Sequence, residues 1–380
     1  VIRAGFDQLE RTRPLPSHVR KACRRIIKCK TSALGHHVII CDNGHEHIRW
    51  DSCRQRACPE CSWPARKRWL LKTRRRLLDC PHHHAIFTIA HELNGLWLAN
   101  VPEMRHLLFA AVRDTLVELF ASHHRGAVPG IIAVLHTWSR DLFLHAHLHL
   151  IVTHGGVDPQ GRWRTIRGKT LLPASVVSEL FRGKFLDAVK RGLAAGRLAP
   201  PRDSDLAAER RNIDAAYGKK WNVFIDFAGS RLDTVVGYLG RYVLGGPIGN
   251  NRILALDEAE VTFLYRDYRT AAPGVRPAEY PKTLLLDEFL QRWCLHIPMP
   301  YTKTVRGYGL YAPGRRGARP RPPRRRGVAE PKTETLPSAL DVPRCPECGA
   351  PLRMPRAAPQ PSTRPRDPPI ERLDRRSAMP

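Results

Sequence analysis

A chain of 380 residues with 42% hydrophobic side chains is long enough for two or three folded units and a real core. Its 63 Lys and Arg against 35 Asp and Glu leave a net charge of +28, more than solubility requires, which favours a polyanionic partner. No apolar run approaches the roughly 20 residues of a membrane span, and the charged stretch from Val1 to Arg25 lacks the apolar core of a signal peptide. Membrane and secreted classes fall away, and a cytoplasmic, DNA-associated protein is expected.

Taken in order, residues 1–25 read as a short helix ending at Ile26 and Ile27. Residues 29–63 are rich in cysteine, histidine and turn formers, and read as a small metal-organised module. From Arg66 to Tyr311 the pattern predicts a mixed globule. Strand-like apolar runs fall at 84–89, 130–135, 142–153 and 261–265, and helical periodicity at 65–78, 102–120, 174–193 and 232–244. The GGVDPQG stretch at 155–161 predicts a turn after the central strand. After Tyr311, residues 313–380 carry 16 of the 33 prolines and 16 of the 63 basic residues against seven acids, for a charge of +9. That tail is expected to be largely disordered. The folded part keeps +19 by itself, so the nucleic-acid inference does not rest on the tail. The expected organisation is α+β. A zinc-binding module occupies 1–64, a domain with an antiparallel sheet and helices 65–312, and a basic tail 313–380.

Seven of the ten cysteines crowd the first 80 residues, a distribution that suits metal binding better than disulfides in an intracellular protein. Cys58-x2-Cys61 has the spacing of a zinc knuckle, a tight turn that aims two ligands at one tetrahedral ion. Cys41-x3-His45 is the expected second half, with Cys53 or Cys29 competing with His45 for the fourth position. A structural zinc follows, because no carboxylate stands in a general-base spacing. Cys345-Pro-Glu-Cys348-Gly is a lone knuckle, either vestigial or completed by a distant ligand or another chain.

The run LFLHAHLHLIVT at 142–153 places His145, His147 and His149 on one face of a strand, with Leu144, Ala146, Leu148 and Leu150 on the other. Three imidazoles in register are hard to explain by packing and fit metal ligation. The segment 232–244 reads as an amphipathic helix through Leu232, Val235, Val236, Leu239 and Val243. On it Tyr238 and Tyr242 lie one turn apart, beside Arg241.

These motifs, in their order, resemble the two-tyrosine rolling-circle transposases of bacterial insertion sequences, which belong to the histidine-hydrophobic-histidine (HUH) class. The likeness runs through Cys29-Lys-Thr31, Leu34-Gly-His36 and the cluster from Ser52 to Cys61. It continues with Phe87-Thr88, Leu135-His-Thr-Trp138, His145-Ala-His147-Leu-His149 and Gly155-Gly156. Tyr238-Leu-Gly-Arg-Tyr242, Asn251-Arg252 and the run from Val261 to Tyr268 follow. Glu288-Phe289, His296-Ile-Pro298 and Gly307-Tyr-Gly-Leu310 complete it, over about residues 5–312.

The resemblance implies an N-terminal zinc module and an HUH nuclease domain. His147 and His149 would be the HUH pair, and Tyr238 and Tyr242 the nucleophiles. The catalytic ion would be Mg²⁺ or Mn²⁺, with His145 nearest as third ligand and His136 the second candidate. Cleavage through a 5′-phosphotyrosine needs no nucleotide cofactor, and the partner would be DNA, single-stranded or as hairpin element ends. Arg241 would neutralise phosphate. Competing readings are a replication initiator or relaxase of the same chemistry and a non-catalytic zinc-knuckle nucleic-acid binder. A degenerate transposase copy, suggested by Val1 at the first position and the tail composition, is a third.

Overall fold

The computed structural model describes residues 1–228, 232–243, 246–267, 277–314 and 344–353, with the side chains of 232–234, 238, 241 and 242 excepted. Where one N-terminal helix was expected there are two, α1 (Ile2–Thr12) and α2 (Ser17–Ile27). The break follows from Pro14 and Pro16: Arg13, before the first proline, turns extended at φ −137°, and Pro16 caps the second helix. A hairpin follows, β1 (His36–Cys41) paired with β2 (Glu46–Trp50), and then helix α3 (Trp63–Arg76), which starts at the end of the Cys58–Cys61 knuckle.

The central sheet is built from β3 (His82–Thr88), β4 (Val128–Trp138), β5 (Leu144–Val157), β6 (Trp163–Thr165), β7 (Val223–Phe227) and β11 (Val305–Gly309). Their order is β11-β4-β5-β3-β7, with β6 against the far end of β5, and every pairing is antiparallel. One face carries Ala85, Phe87, Ala133, Leu135, Ala146, Leu148, Leu150 and Val152 into the largest core. Helices α4 (Asn94–Ala99), α5 (Val101–His123), α6 (Ala174–Ala194) and α7 (Leu206–Tyr217) belong to that layer, contributing Trp97, Phe109, Phe120, Phe181, Phe185 and Ile213. The other face carries Ile132, Val134 and Ile151 with the histidines, and is covered by α3 and α8 (Leu232–Val243).

A second antiparallel sheet, β8 (Ile253–Leu256), β9 (Glu260–Tyr265) and β10 (Tyr280–Leu285), leads into α9 (Leu286–Cys294). Phe263, Phe289, Leu290 and Trp293 from this part share one core with Phe6, Leu9, Val19, Cys29 and Cys58. At the α1–α9 crossing a Cβ on Gly5 would stand 2.7 Å from a Leu290 methyl. The N-terminal module therefore has its apolar core in common with residues 248–297 rather than one of its own.

One expectation is corrected. The Gly155-Gly156 pair continues β5 instead of turning, and the turn comes after it, where buried Asp158 accepts from the Gln160 and Arg162 amides. Glycine is required because a Cβ on Gly156 would stand 2.6 Å from the Val128 carbonyl oxygen. Within the tail the expected Cys345–Cys348 knuckle is compact over residues 344–353, where β12 (Leu352–Arg353) pairs with β1.

Gly309 closes the β11 edge at φ +56°, where a Cβ would drive into the Pro129 carbonyl oxygen. Gly309→Ala should therefore lower stability by about 2–4 kcal/mol. Thermal unfolding checks it, and an unchanged midpoint would show that the edge can shift to admit the methyl.

Candidate metal centres and nuclease site

The register of β4 against β5 sets the site. His136 lies directly opposite His147, and Val134 opposite His149, so three imidazoles rise from neighbouring positions on one face. Their ligand-capable nitrogens lie within 4.8 Å of one another, and Nε2 of His147 is 3.2 Å from Nε2 of His149. Two nitrogens bound about 2.1–2.2 Å from one ion at right angles would be about 3 Å apart, so the spacing fits a shared divalent cation. All three rings are buried. Burial first, and then the neighbouring imidazoles, push His136 and His149 well below the ordinary histidine range; burial and His145 bring His147 down to about 3. They stay neutral, as ligands must.

Hydrogen bonds orient two of the rings. Nδ1 of His147 stands 2.6 Å from the His145 carbonyl oxygen, which can only accept, so Nδ1 carries the proton and Nε2 the lone pair. Nδ1 of His149 is 2.9 Å from Nε2 of His84 on β3. His145, the first candidate for a third ligand, is exposed at the mouth of β5 and lies outside the cluster, whereas His136, the second candidate, lies within it. Sequence reasoning favoured the neighbour along the chain, whereas the nearer neighbour is across the ladder. His84 was missed as well; the His82-His83-His84 run was its only signal.

Above the same face, α8 buries Val236, Leu239 and Val243 against Ile132, Val134 and Ile151, in rows next to the triad. Gly240 is where α8 meets α3, since a Cβ there would stand 2.7 Å from Cγ of Leu70. Tyr238, Arg241 and Tyr242 belong to this helix, but their side chains lie outside the described residues. Helix α3 carries Arg66, Lys67, Arg68, Lys72, Arg74, Arg75 and Arg76 with no acid, and Arg68, Lys72, Arg74 and Arg75 are exposed. This basic helix beside α8 is suited to phosphate, and the sequence reading saw only its periodicity.

The candidate zinc ligands do not form one site. Cys29, Cys53, Cys58 and Cys61 form one cluster, and Cys41 and His45 belong to another with Cys345 and Cys348. The β1–β2 hairpin thus places Cys41 and His45 apart from the Cys58 knuckle with which their spacing suggested they would pair. In the first cluster the Sγ atoms of Cys29 and Cys58 are 3.7 Å apart and those of Cys53 and Cys61 3.5 Å. Sulfurs about 2.3 Å from one tetrahedral zinc would stand about 3.8 Å apart, so the four thiols fit such an ion. The Cys58 thiol is drawn down to about 5, chiefly by its hydrogen bond with Cys53.

Between Cys53 and Cys58, Arg56 reaches from this knuckle to α8. Its Nε and Nη2 donate to the Val243 carbonyl at 3.0 and 2.7 Å, and Nη1 to the Thr302 carbonyl at 3.1 Å. A cation on the last carbonyls of a helix satisfies orphaned acceptors and opposes the helix dipole.

A cysteine-rich module joined to a histidine-lined antiparallel sheet defines a metal-binding protein built to meet a polyanion. The comparisons with known proteins agree. Residues 1–89 match the IS91-type "Transposase zinc-binding domain", and residues 130–319 match the Y2_Tnp family, described as "Putative transposase". The chain belongs to this IS91-type transposase family. It is similar to "Putative transposase y4qJ" of Sinorhizobium fredii, 36% identical over 300 residues that cover 77% of this chain and 74% of the relative. It is also similar to "Transposase for insertion sequence element IS801" of Pseudomonas savastanoi pv. phaseolicola, 32% identical over 299 residues, 76% and 69% of the two chains. Among the described residues no helix is long and apolar enough to cross a membrane.

Cys58→Ser should release one zinc and raise amide exchange through residues 29–61. The loss should spread to the end of α8, because Arg56 is held by the same knuckle. Exchange measured by mass spectrometry checks this, and full protection at α8 in the zinc-depleted variant would contradict the link.

Proposed function

We propose that this transposase cuts and transfers single DNA strands by the rolling-circle route, through a 5′-phosphotyrosine on Tyr238 or Tyr242. The observation that carries the reading is the meeting of His136, His147 and His149 on the sheet face that α8 covers. On this reading residues 65–312 act as the nuclease domain, in the cytoplasm, on single-stranded or hairpin element ends.

A tyrosine hydroxyl with an ordinary pKa of about 10 is a poor nucleophile near neutrality. A divalent ion, Mg²⁺ or Mn²⁺, held by the three imidazoles would supply Lewis acidity at a phosphate oxygen. The chain's own groups do the rest. His136, His147 and His149 offer neutral nitrogens from one face, and His84 sets the His149 ring by accepting its Nδ1 proton. The tyrosine hydroxyl gives up its proton as its oxygen bonds to phosphorus and the bond from phosphorus to the 3′-oxygen breaks, and the departing oxygen takes up a proton in turn as a free 3′-hydroxyl, so no net proton is consumed. The phosphotyrosine conserves the phosphodiester bond energy, so no nucleotide cofactor is required to rejoin strands. A second tyrosine one turn away lets one cut end be held while another strand is attacked. Arg241 and the basic face of α3 hold the phosphates.

The test uses labelled single-stranded oligonucleotides carrying candidate element ends, with Mn²⁺ and a denaturing gel. The wild-type chain should form a covalent adduct. His147→Ala or His149→Ala should abolish it while DNA binding stays largely intact, and near-normal cleavage by the double variant would remove the metal site. Tyr238→Phe and Tyr242→Phe should each block complete transfer, with at least one still forming an adduct; the double Phe variant should form none. An adduct in that variant would shift the nucleophile to another residue, Tyr265 or Tyr268 first.

His84→Ala should weaken Mn²⁺ binding about 10- to 100-fold without abolishing it, as loss of a ligand-orienting partner does. Titration calorimetry checks this, and unchanged affinity would leave His84 a packing residue only.

A further inference from the structure

The match to the zinc-binding domain ends at residue 89, yet Cys345 and Cys348 fold back onto the hairpin at Cys41 and His45, about 300 positions earlier. We propose that Cys41, His45, Cys345 and Cys348 form a second structural zinc site, which clasps the C-terminal segment 344–353 to the N-terminal β1–β2 hairpin.

The geometry is that of one tetrahedral ion. Sγ of Cys41 lies 3.7 Å from Sγ of Cys348 and 3.5 Å from Nδ1 of His45, and Sγ of Cys345 lies 3.6 Å from the same Nδ1. Ligands at about 2.3 Å (sulfur) and about 2.05 Å (nitrogen) from a tetrahedral zinc would stand about 3.8 and 3.5 Å apart. A disulfide is excluded for Cys41 and Cys348, because its sulfurs would be about 2.05 Å apart. Each half is a tight turn that points its ligands inward. In the first, the His45 amide donates to Sγ of Cys41 at 3.2 Å and the Gly44 amide to the Cys41 carbonyl at 3.0 Å. In the second, the Gly349 amide donates to the Cys345 carbonyl at 2.8 Å, and Gly349 takes the left-handed φ of +71°.

The surroundings complete the ligand set. Nε2 of His45 faces the Glu347 carboxylate at 3.6 Å, the arrangement that fixes a ligating ring with its other nitrogen toward the metal. Nε2 of His47 lies 3.1 Å from Sγ of Cys345, where its N–H can donate to a thiolate. Three thiolates and a neutral imidazole would leave the bound site at −1, in a chain of +28. Asp42 and Arg353 pair at 3.1 Å across the joint.

Packing alone does not account for the docking. Among the described residues the cluster here has four buried members, Ile39, Cys41, Cys345 and Leu352, and two of them are the proposed ligands. The strand pairing is two residues long. Too little apolar area is removed from water to order ten residues, each of which loses about 1–2 kcal/mol of backbone entropy. Coordination supplies what burial lacks, as it does in zinc-dependent miniature folds. Four protein ligands leave no open position, which makes the site structural.

The test is the zinc content of the full chain by elemental analysis, with amide exchange at 344–353. Wild type should hold about two zinc ions. Cys345→Ser/Cys348→Ser should hold one fewer and lose protection at 344–353, with unfolding of the helix-and-sheet body unchanged. Cys41→Ser should lose the same zinc and the same protection, whereas Cys58→Ser should lose a zinc and keep the clasp. A chain ending at 343, with both cysteines removed, should match the Cys345/Cys348 variant, so a failure of that variant to fold does not spare the proposal. It is overturned if wild type holds a single zinc that the Cys345/Cys348 variant retains. Undiminished zinc or intact protection at 344–353 in that variant would overturn it equally.

Discussion

The pairing of β4 with β5 is the constraint on which the rest depends. With His136 opposite His147, one face of the sheet gathers imidazoles, and the other face gives its leucines to the core under α5 and α6. Alternation makes the two consequences inseparable: a slip of one residue would bury the histidines among Phe181 and Phe185 and turn the leucines outward. The apolar face thus enforces the register that the polar face uses. It also holds the rings in a buried environment that keeps them neutral.

The second constraint is the placement of α8. Its apolar side lies on the sheet, Gly240 admits Leu70 of α3, and its last carbonyl receives Arg56 from the loop between Cys53 and Cys58. The four-cysteine cluster thereby touches the tyrosine helix twice, through Arg56 and through α3, whose first turn follows Cys61. On the proposed mechanism the zinc-binding module serves to hold the nucleophile helix over the histidines. The shared core of Phe6, Leu9, Phe289 and Leu290 packs the module against residues 286–290.

Much of this was legible in the sequence, for identifiable reasons. Period-two alternation in LFLHAHLHLIVT located β5 and the histidine face, and 3.6-residue periodicity located α3, α5, α6 and α8. The missing parts were long-range. Nothing local tells that His136 joins His147 and His149 while His145 stays outside the cluster, because that is decided by a register between strands. Nothing in Cys41-x3-His45 tells that its neighbours are Cys345 and Cys348 rather than Cys58 and Cys61, because both are knuckles and the loop-closure difference between about 300 and about 20 residues, about 2.4 kcal/mol, is not written in either motif. Helix α7 escaped because Ile213 and Ala216 are the apolar side chains it buries, and β7 because five residues are too few to show a period. Arg56 and His84 were invisible as functional residues, since each acts by reaching an element remote in sequence.

The most direct measurement is the site of the covalent bond. After reaction with a labelled single strand and Mn²⁺, digestion with trypsin cuts behind Arg241 and separates the two tyrosines into the peptides 232–241 and 242–252. Tandem mass spectrometry should then find a 5′-phosphorylated nucleotide on Tyr238 or Tyr242, and none when His147 and His149 are both alanine. A nucleotide carried on any other residue, or an adduct that forms without those histidines, would contradict the account.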